Sequence, residues 1–95
     1  MKTKLYPFSV QKHAHDIDYY RYFLMNRIYT PEEYGLTAEQ VAKYEDRLED
    51  VNAVLTAIMS TSDGKVAWLT GKQYGLAHEI TFWAGEARSN AKYSG

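Results

Sequence analysis

Residues 37–60 read TAEQVAKYEDRLEDVNAVLTAIMS, and the fold follows from how that stretch must bury itself. Val41, Tyr44, Leu48, Val51, Leu55 and Ile58 recur at alternating steps of three and four, which places them on one seam of a helix. Lys43, Glu45, Asp46, Arg47, Glu49 and Asp50 fill the remaining positions of the first half and form a solvated face. Thr37 is the expected N-cap, Gln40 completes a capping box, and Leu36 with Val41 stands where a hydrophobic staple belongs. About twenty-three residues at ~1.5 Å rise make a rod of roughly 35 Å. Such a rod cannot cover its own seam. Ala53, Val54, Ala57 and Met59 widen the apolar arc in the second half, so more than one element is expected to pack there.

At 95 residues the chain suits one domain, 1–95, with a modest core that needs no metal or disulfide. It has no cysteine, hence no disulfide, thiol nucleophile or thiolate metal site. MKTKLYPFSVQKH lacks an apolar run of signal-peptide length, and no segment suits a bilayer span. The expectation is a cytoplasmic protein without membrane contact. Net charge is −1, which argues against a general nucleic-acid binder. Residues 1–30 hold five Lys/Arg against two Asp, 31–62 hold two against seven acids, and the remainder four against three. An acidic middle of this kind is usually a solvated helix face; the sharper alternative is a surface for a basic partner. Nine tyrosines, two tryptophans and three phenylalanines are a heavy aromatic load, and their placement matters most.

Residues 1–12 read as an extended arm, because Pro7 removes a donor and Leu5, Tyr6, Phe8 and Val10 lack helical spacing. Helix one is expected from about Asp16 to Tyr29, with Ile17, Tyr20, Leu24 and Ile28 facing the core. Its opposite face is not polar. Tyr19, Tyr22, Asn26 and Tyr29 form a second stripe with Phe23 beside it, and such a helix wants cover on both sides. Either the N-terminal arm folds over that stripe or another chain does. Thr30, Pro31 and Glu33 read as a second capping box opening a single turn that Gly35 ends. The corner is tight, so helices one and two should form a hairpin. Asp63-Gly64 signals a turn after the central helix. KVAWL, residues 65–69, is a connector or a short strand paired with residues 5–10. Thr70 and Gln73 make a third box, and the last helix runs from Gly71 to about Asn90, before a frayed tail at 91–95. Ala77, Ile80, Ala84, Ala87 and Ala91 are its seam, expected to pack closely on the central helix. Gly75, His78, Phe82 and Gly85 lie outside it; each interior glycine costs ~1 kcal/mol against alanine, so this face needs a reason.

His13, His15 and Asp16 are the only cluster resembling metal ligands: in an extended segment the two imidazoles point the same way, with a third ligand from Asp16 or from His78 and Glu79. The plainer reading has Asp16 capping helix one and the histidines solvated. No cofactor is implied. The pattern GxxxxGK[ST] is missing at Gly71-Lys72, and the serines and threonines sit at caps and turns, so an enzyme is not expected. Tyr19-Tyr20-Arg21-Tyr22-Phe23 interleaves a cation with rings, as single-stranded nucleic-acid surfaces do, but the acidic central helix beside it opposes a polyanion. Tyr and Arg at a surface serve protein contact more commonly.

The sequence therefore predicts a mostly α, three-helix bundle: a helical hairpin plus a C-terminal helix, an extended arm, and the option of a two-stranded pairing. Its expected role is protein binding, by homodimerisation or by docking a larger protein, through Tyr19, Arg21, Tyr22, Phe23, Asn26, Tyr29, His78 and Phe82. A small tyrosine-rich domain of this kind suits an accessory regulator or inhibitor such as phages and mobile elements encode. Nucleic-acid or nucleotide-like anion binding through the Tyr/Arg-rich first helix comes second, and a histidine-ligated metal third.

Overall fold

Reciprocal side-chain caps start two of the three helices. The computed structural model describes residues 4–94, and side-chain surroundings for 4–89. In chain order the elements are β1 (Leu5–Ser9), α1 (Val10–Tyr29), a 3-10 turn (Pro31–Tyr34), α2 (Ala38–Thr61), β2 (Val66–Thr70) and α3 (Gly71–Ser94). Ahead of α2, Thr37 N donates to Gln40 Oε1 at 2.8 Å while Gln40 N donates to Thr37 Oγ1 at 3.2 Å. Thr70 and Gln73 repeat this before α3, at 3.0 and 3.3 Å. Each box satisfies two donors that a helix start leaves unpaired.

The expected box at Thr30 and Glu33 does not form. Thr30 Oγ1 donates backwards to Asn26 O at 2.8 Å and closes α1, leaving the 3-10 turn without a side-chain cap. Gly35, at φ 64, ends that turn in the left-handed region.

Helix one also begins earlier than Asp16. Ser9 accepts from Lys12 N at 3.2 Å and caps a helix that starts at Val10, so the extended arm ends at Ser9. Nothing between Val10 and His15 breaks a helix, and Ser9 is as good a cap as aspartate. Residues 1–3 of the arm lie outside the described residues. At the other end α3 continues to Ser94 rather than fraying after Asn90, since Ala91 and Lys92 favour helix and no breaker precedes Gly95. The side chain of Ala91 and all of Gly95 lie outside the described residues.

β1 pairs antiparallel with β2, with Leu5 opposite Thr70, Pro7 opposite Trp68 and Ser9 opposite Val66. Val10 N donates to Lys65 O at 2.9 Å, so by alternation Phe8 and Tyr6 turn their backbone groups towards β2 and Pro7 turns its missing donor to the open edge. The far edge of β2 is occupied: Trp68 N donates to Thr61 Oγ1 at 3.2 Å and Asp63 N to Val66 O at 3.1 Å. Asp63 Oδ1 accepts from Val66 N and Lys65 N in the same turn, where Gly64 sits at φ 103. The sheet places Phe8, Ala67 and Leu69 inside, against the helices.

Ile17, Tyr20 and Leu24 from α1, Val51, Val54 and Ile58 from α2, and Ala77, Ile80, Ala84 and Ala87 from α3 complete the core. α1 lies against α2 as the expected hairpin. The alanine seam of α3 packs on both partners and meets α1 more extensively than α2. Along α2 only Val51, Val54 and Ile58, all in its second half, are buried; Val41, Tyr44, Leu48 and Leu55 stay half-exposed. Two residues assigned to the wider arc are not part of it: Ala53 and Met59 face solvent, because the other elements cover α2 only around Val51, Val54 and Ile58.

Candidate functional site

Among the described residues the arm does not cover the second stripe of α1, because β1 is committed to β2. Tyr22 is 60% exposed, Tyr29 is 71% exposed, and Asn26 between them faces solvent. Spaced by four and three residues, these side chains lie on one line opposite Ile17, Tyr20 and Leu24. Arg21 and Met25 flank them, half-buried. This is the uncovered surface of α1.

The other members of the expected stripe are drawn elsewhere. Tyr19 is half-buried beneath Arg88 of α3, whose guanidinium lies 4.6 Å from the ring centroid and is held by an ion pair with Asp16. Phe23 belongs to the edge of the core: it stacks on Tyr20 at 5.6 Å, meets Tyr44 edge-on at 6.2 Å, and carries Arg27 at 3.6 Å over its face. Arg27 also covers Tyr34, at 4.3 Å. Arg47 turns inward from the acidic face of α2, donates to Tyr20 Oη at 2.8 Å, and lies 4.3 Å over Trp83. Burial pushes the Tyr20 hydroxyl pKa up, and Arg47 opposes that shift.

Three arginines thus shield rings that would otherwise be open, since a planar guanidinium stacks well on an aromatic face. Arg88 with Asp16 is the one ion pair among the described residues, so Glu39, Glu45, Asp46, Glu49 and Asp50 stand on α2 without a cationic partner.

Phe82 projects from α3, 65% exposed, beside an open depression lined by Thr81, Gly85, Glu86 and Ser89. A Cβ at Gly75 or Gly85 would meet nothing within 4 Å. The interior glycines on this face are therefore not explained by close packing inside one copy. His78 lies with Phe8, His13 and Tyr74 at the junction of β1, α1 and α3. Among the described residues no ring contact joins His78 or Phe82 to the Tyr22–Tyr29 line. Of the eight expected contact residues, Arg21, Tyr22, Asn26 and Tyr29 thus share the outer line of α1, while Tyr19, Phe23, His78 and Phe82 each lie elsewhere.

The metal geometry expected of an extended His13–His15 segment is lost. Both histidines lie within α1, where residues two apart do not face each other, and Asp16 is not a cap but the partner of Arg88. Among the described residues no three His, Cys, Asp or Glu side chains converge.

Sequence reasoning missed a further apolar face, the outer side of the sheet, where Leu5 and Trp68 are exposed. Alternation along VAWLT carries that signal once the strand register is known. No helix among the described residues is long and apolar enough to cross a membrane. Comparison of the chain with family models, with curated proteins and with solved structures finds no match.

Proposed function

We propose that this chain is a small non-enzymatic protein-binding module of the cytoplasm that self-associates through the outer line of α1. The observation that carries the reading is the exposure of Tyr22 and Tyr29 on a face that, among the described residues, neither the arm nor α3 covers. Tyrosine supplies large, rigid contact area with few rotatable bonds, and paired with arginine it dominates interface energetics. A two-fold dimer would set each Tyr22–Asn26–Tyr29 line against its copy, with Arg21 at the margin. Docking of a larger protein on the same line, as an accessory regulator or inhibitor would, is the heterologous form of this reading.

Light scattering over a concentration series tests it, comparing the wild type with the Tyr22→Ser, Tyr29→Ser double variant. The expected result is a wild-type dimer and a folded monomeric variant. A wild type that stays monomeric removes self-association and leaves the foreign partner. A variant that unfolds assigns the rings to the fold instead.

One observation favours a second reading, the binding of nucleic acid or a nucleotide-like anion. Arg27 and Arg47 lie over rings and, among the described residues, pair with no carboxylate, leaving guanidinium donors for phosphate. A salt-dependent affinity for single-stranded oligonucleotide that falls in Arg27→Gln would support it; no binding at low salt would end it.

A further inference from the structure

Four rings from three elements close on one another where β1 runs into α1 and meets α3. Phe8, the fully buried residue of β1, lies near-parallel to His13 with centroids 4.9 Å apart, and meets His78 edge-on at 5.4 Å. His13 and His78 themselves meet edge-on at 5.4 Å, and Tyr74 meets His78 at 4.5 Å. Tyr6 extends the group against Tyr74 at 5.4 Å. His13 is half-buried in this packing, and His78 closes over it from the exposed side of α3.

We propose that the His13–His78 pair is a pH-sensitive latch: with the pair neutral, β1 and the first turns of α1 are seated on α3, and with both rings protonated that junction opens. The surrounding rings can accommodate one imidazolium, because an aromatic face attracts a cation. A second charge at this separation is disfavoured, since like charges so close oppose each other's ionisation.

The charges that act on His13 oppose its protonation on balance. On α1, Lys12 adds positive charge, and Asp16, the one acid that favours protonated His13, is engaged by Arg88 of α3. On α3 the titratable groups beside His78 are Tyr74 and the exposed Glu79 that follows it; on β1 it is Tyr6, against Tyr74, with Lys4 5.3 Å over its ring. β2 has no titratable residue between Val66 and Thr70. The pKa of His13 is accordingly held below its ordinary 6.5, first by burial, then by His78 and Lys12. A lowered folded-state pKa means that the unfolded chain takes the proton more readily. The stabilisation is therefore complete above pH 6.5 and is lost as pH falls through the lowered value.

The test is an NMR pH titration of the histidine ring protons in the whole chain, with amide exchange read in the same samples. His13 is expected to titrate below 6.5, and in His78→Gln its midpoint should rise towards that value. On acidification, amides of Tyr6 and Phe8 should lose protection while those of Val51 and Ile58 keep theirs. That difference should shrink in His78→Gln. A wild-type midpoint at or above 6.5, a midpoint unmoved by the substitution, or strand and α2 amides changing in step would overturn the latch. If His78→Gln does not fold, the wild-type midpoint and exchange pattern decide the matter on their own.

Discussion

Glycine carries opposite consequences at two positions of this chain. Gly64 sits at φ 103 in the turn between α2 and β2, where any side chain strains the backbone whatever the space around it. Gly64→Ala should cost about 1–3 kcal/mol in a urea denaturation. Gly85 lies in α3 with nothing near its missing Cβ, so Gly85→Ala should stabilise the monomer by up to about 1 kcal/mol. Beside Gly64, the backbone N–H groups of Val66 and Lys65 hold the Asp63 carboxyl below its ordinary 3.8. The folded state thus takes that proton less readily than the unfolded chain, and the turn's stabilisation is present above pH 3.8 and lost below it. Asp63→Asn should lower the urea midpoint at neutral pH, and its difference from wild type should close as the pH is brought below that value. The candidate site was partly legible at this scale. Tyr22 and Tyr29 follow from lying opposite Ile17 and Leu24, whereas the cover over Tyr19 comes from Arg88, far along the chain and outside any local pattern.

Among the elements, T-x-x-[EQ] marks three positions but caps only two helices. Thr37→Ala and Thr70→Ala should each cost about 1 kcal/mol by losing a bond to an unpaired helix N–H. Thr30→Ala should cost less than half of that, since Thr30 bonds back to Asn26 O, which also accepts from Thr30 N at 3.1 Å. Three urea denaturations rank them. The contrast shows what a sequence conveys about elements. α2 was legible because cap, seam and stop signal agree, and α3 was legible at its start through its capping box but not at its end, where no breaker stands before Gly95. The start of α1 was not legible, because Ser9 and Asp16 are equally good caps and the residues between them have no apolar period to arbitrate. The pairing of β1 with β2 stayed an option because register between strands some sixty residues apart depends on the helices bringing them together. Met59 was misassigned for a related reason: periodicity gives the direction of a side chain but not how far the neighbouring elements reach.

For the whole molecule, the accessible surface is 6688 Å² at 11.0 kDa. A compact folded monomer of that mass exposes roughly 5,600 Å². Three helices and a two-stranded sheet bury one stripe of each helix and one face of the sheet, so the aromatic load exceeds what the interior can take. Arginines dispose of part of the excess by lying over Phe23, Trp83 and Tyr19. Tyr22 and Tyr29 receive no such cover among the described residues, and the proposed role rests on them. The most direct test is to read, by NMR, how strongly a soluble paramagnetic agent broadens the ring protons of Tyr22 and Tyr29 across a dilution series of the wild-type chain. The account predicts rings fully open to the agent in dilute protein and progressively shielded as a second copy is supplied. Rings shielded at the lowest concentration, as those of Tyr20 should be, would contradict it.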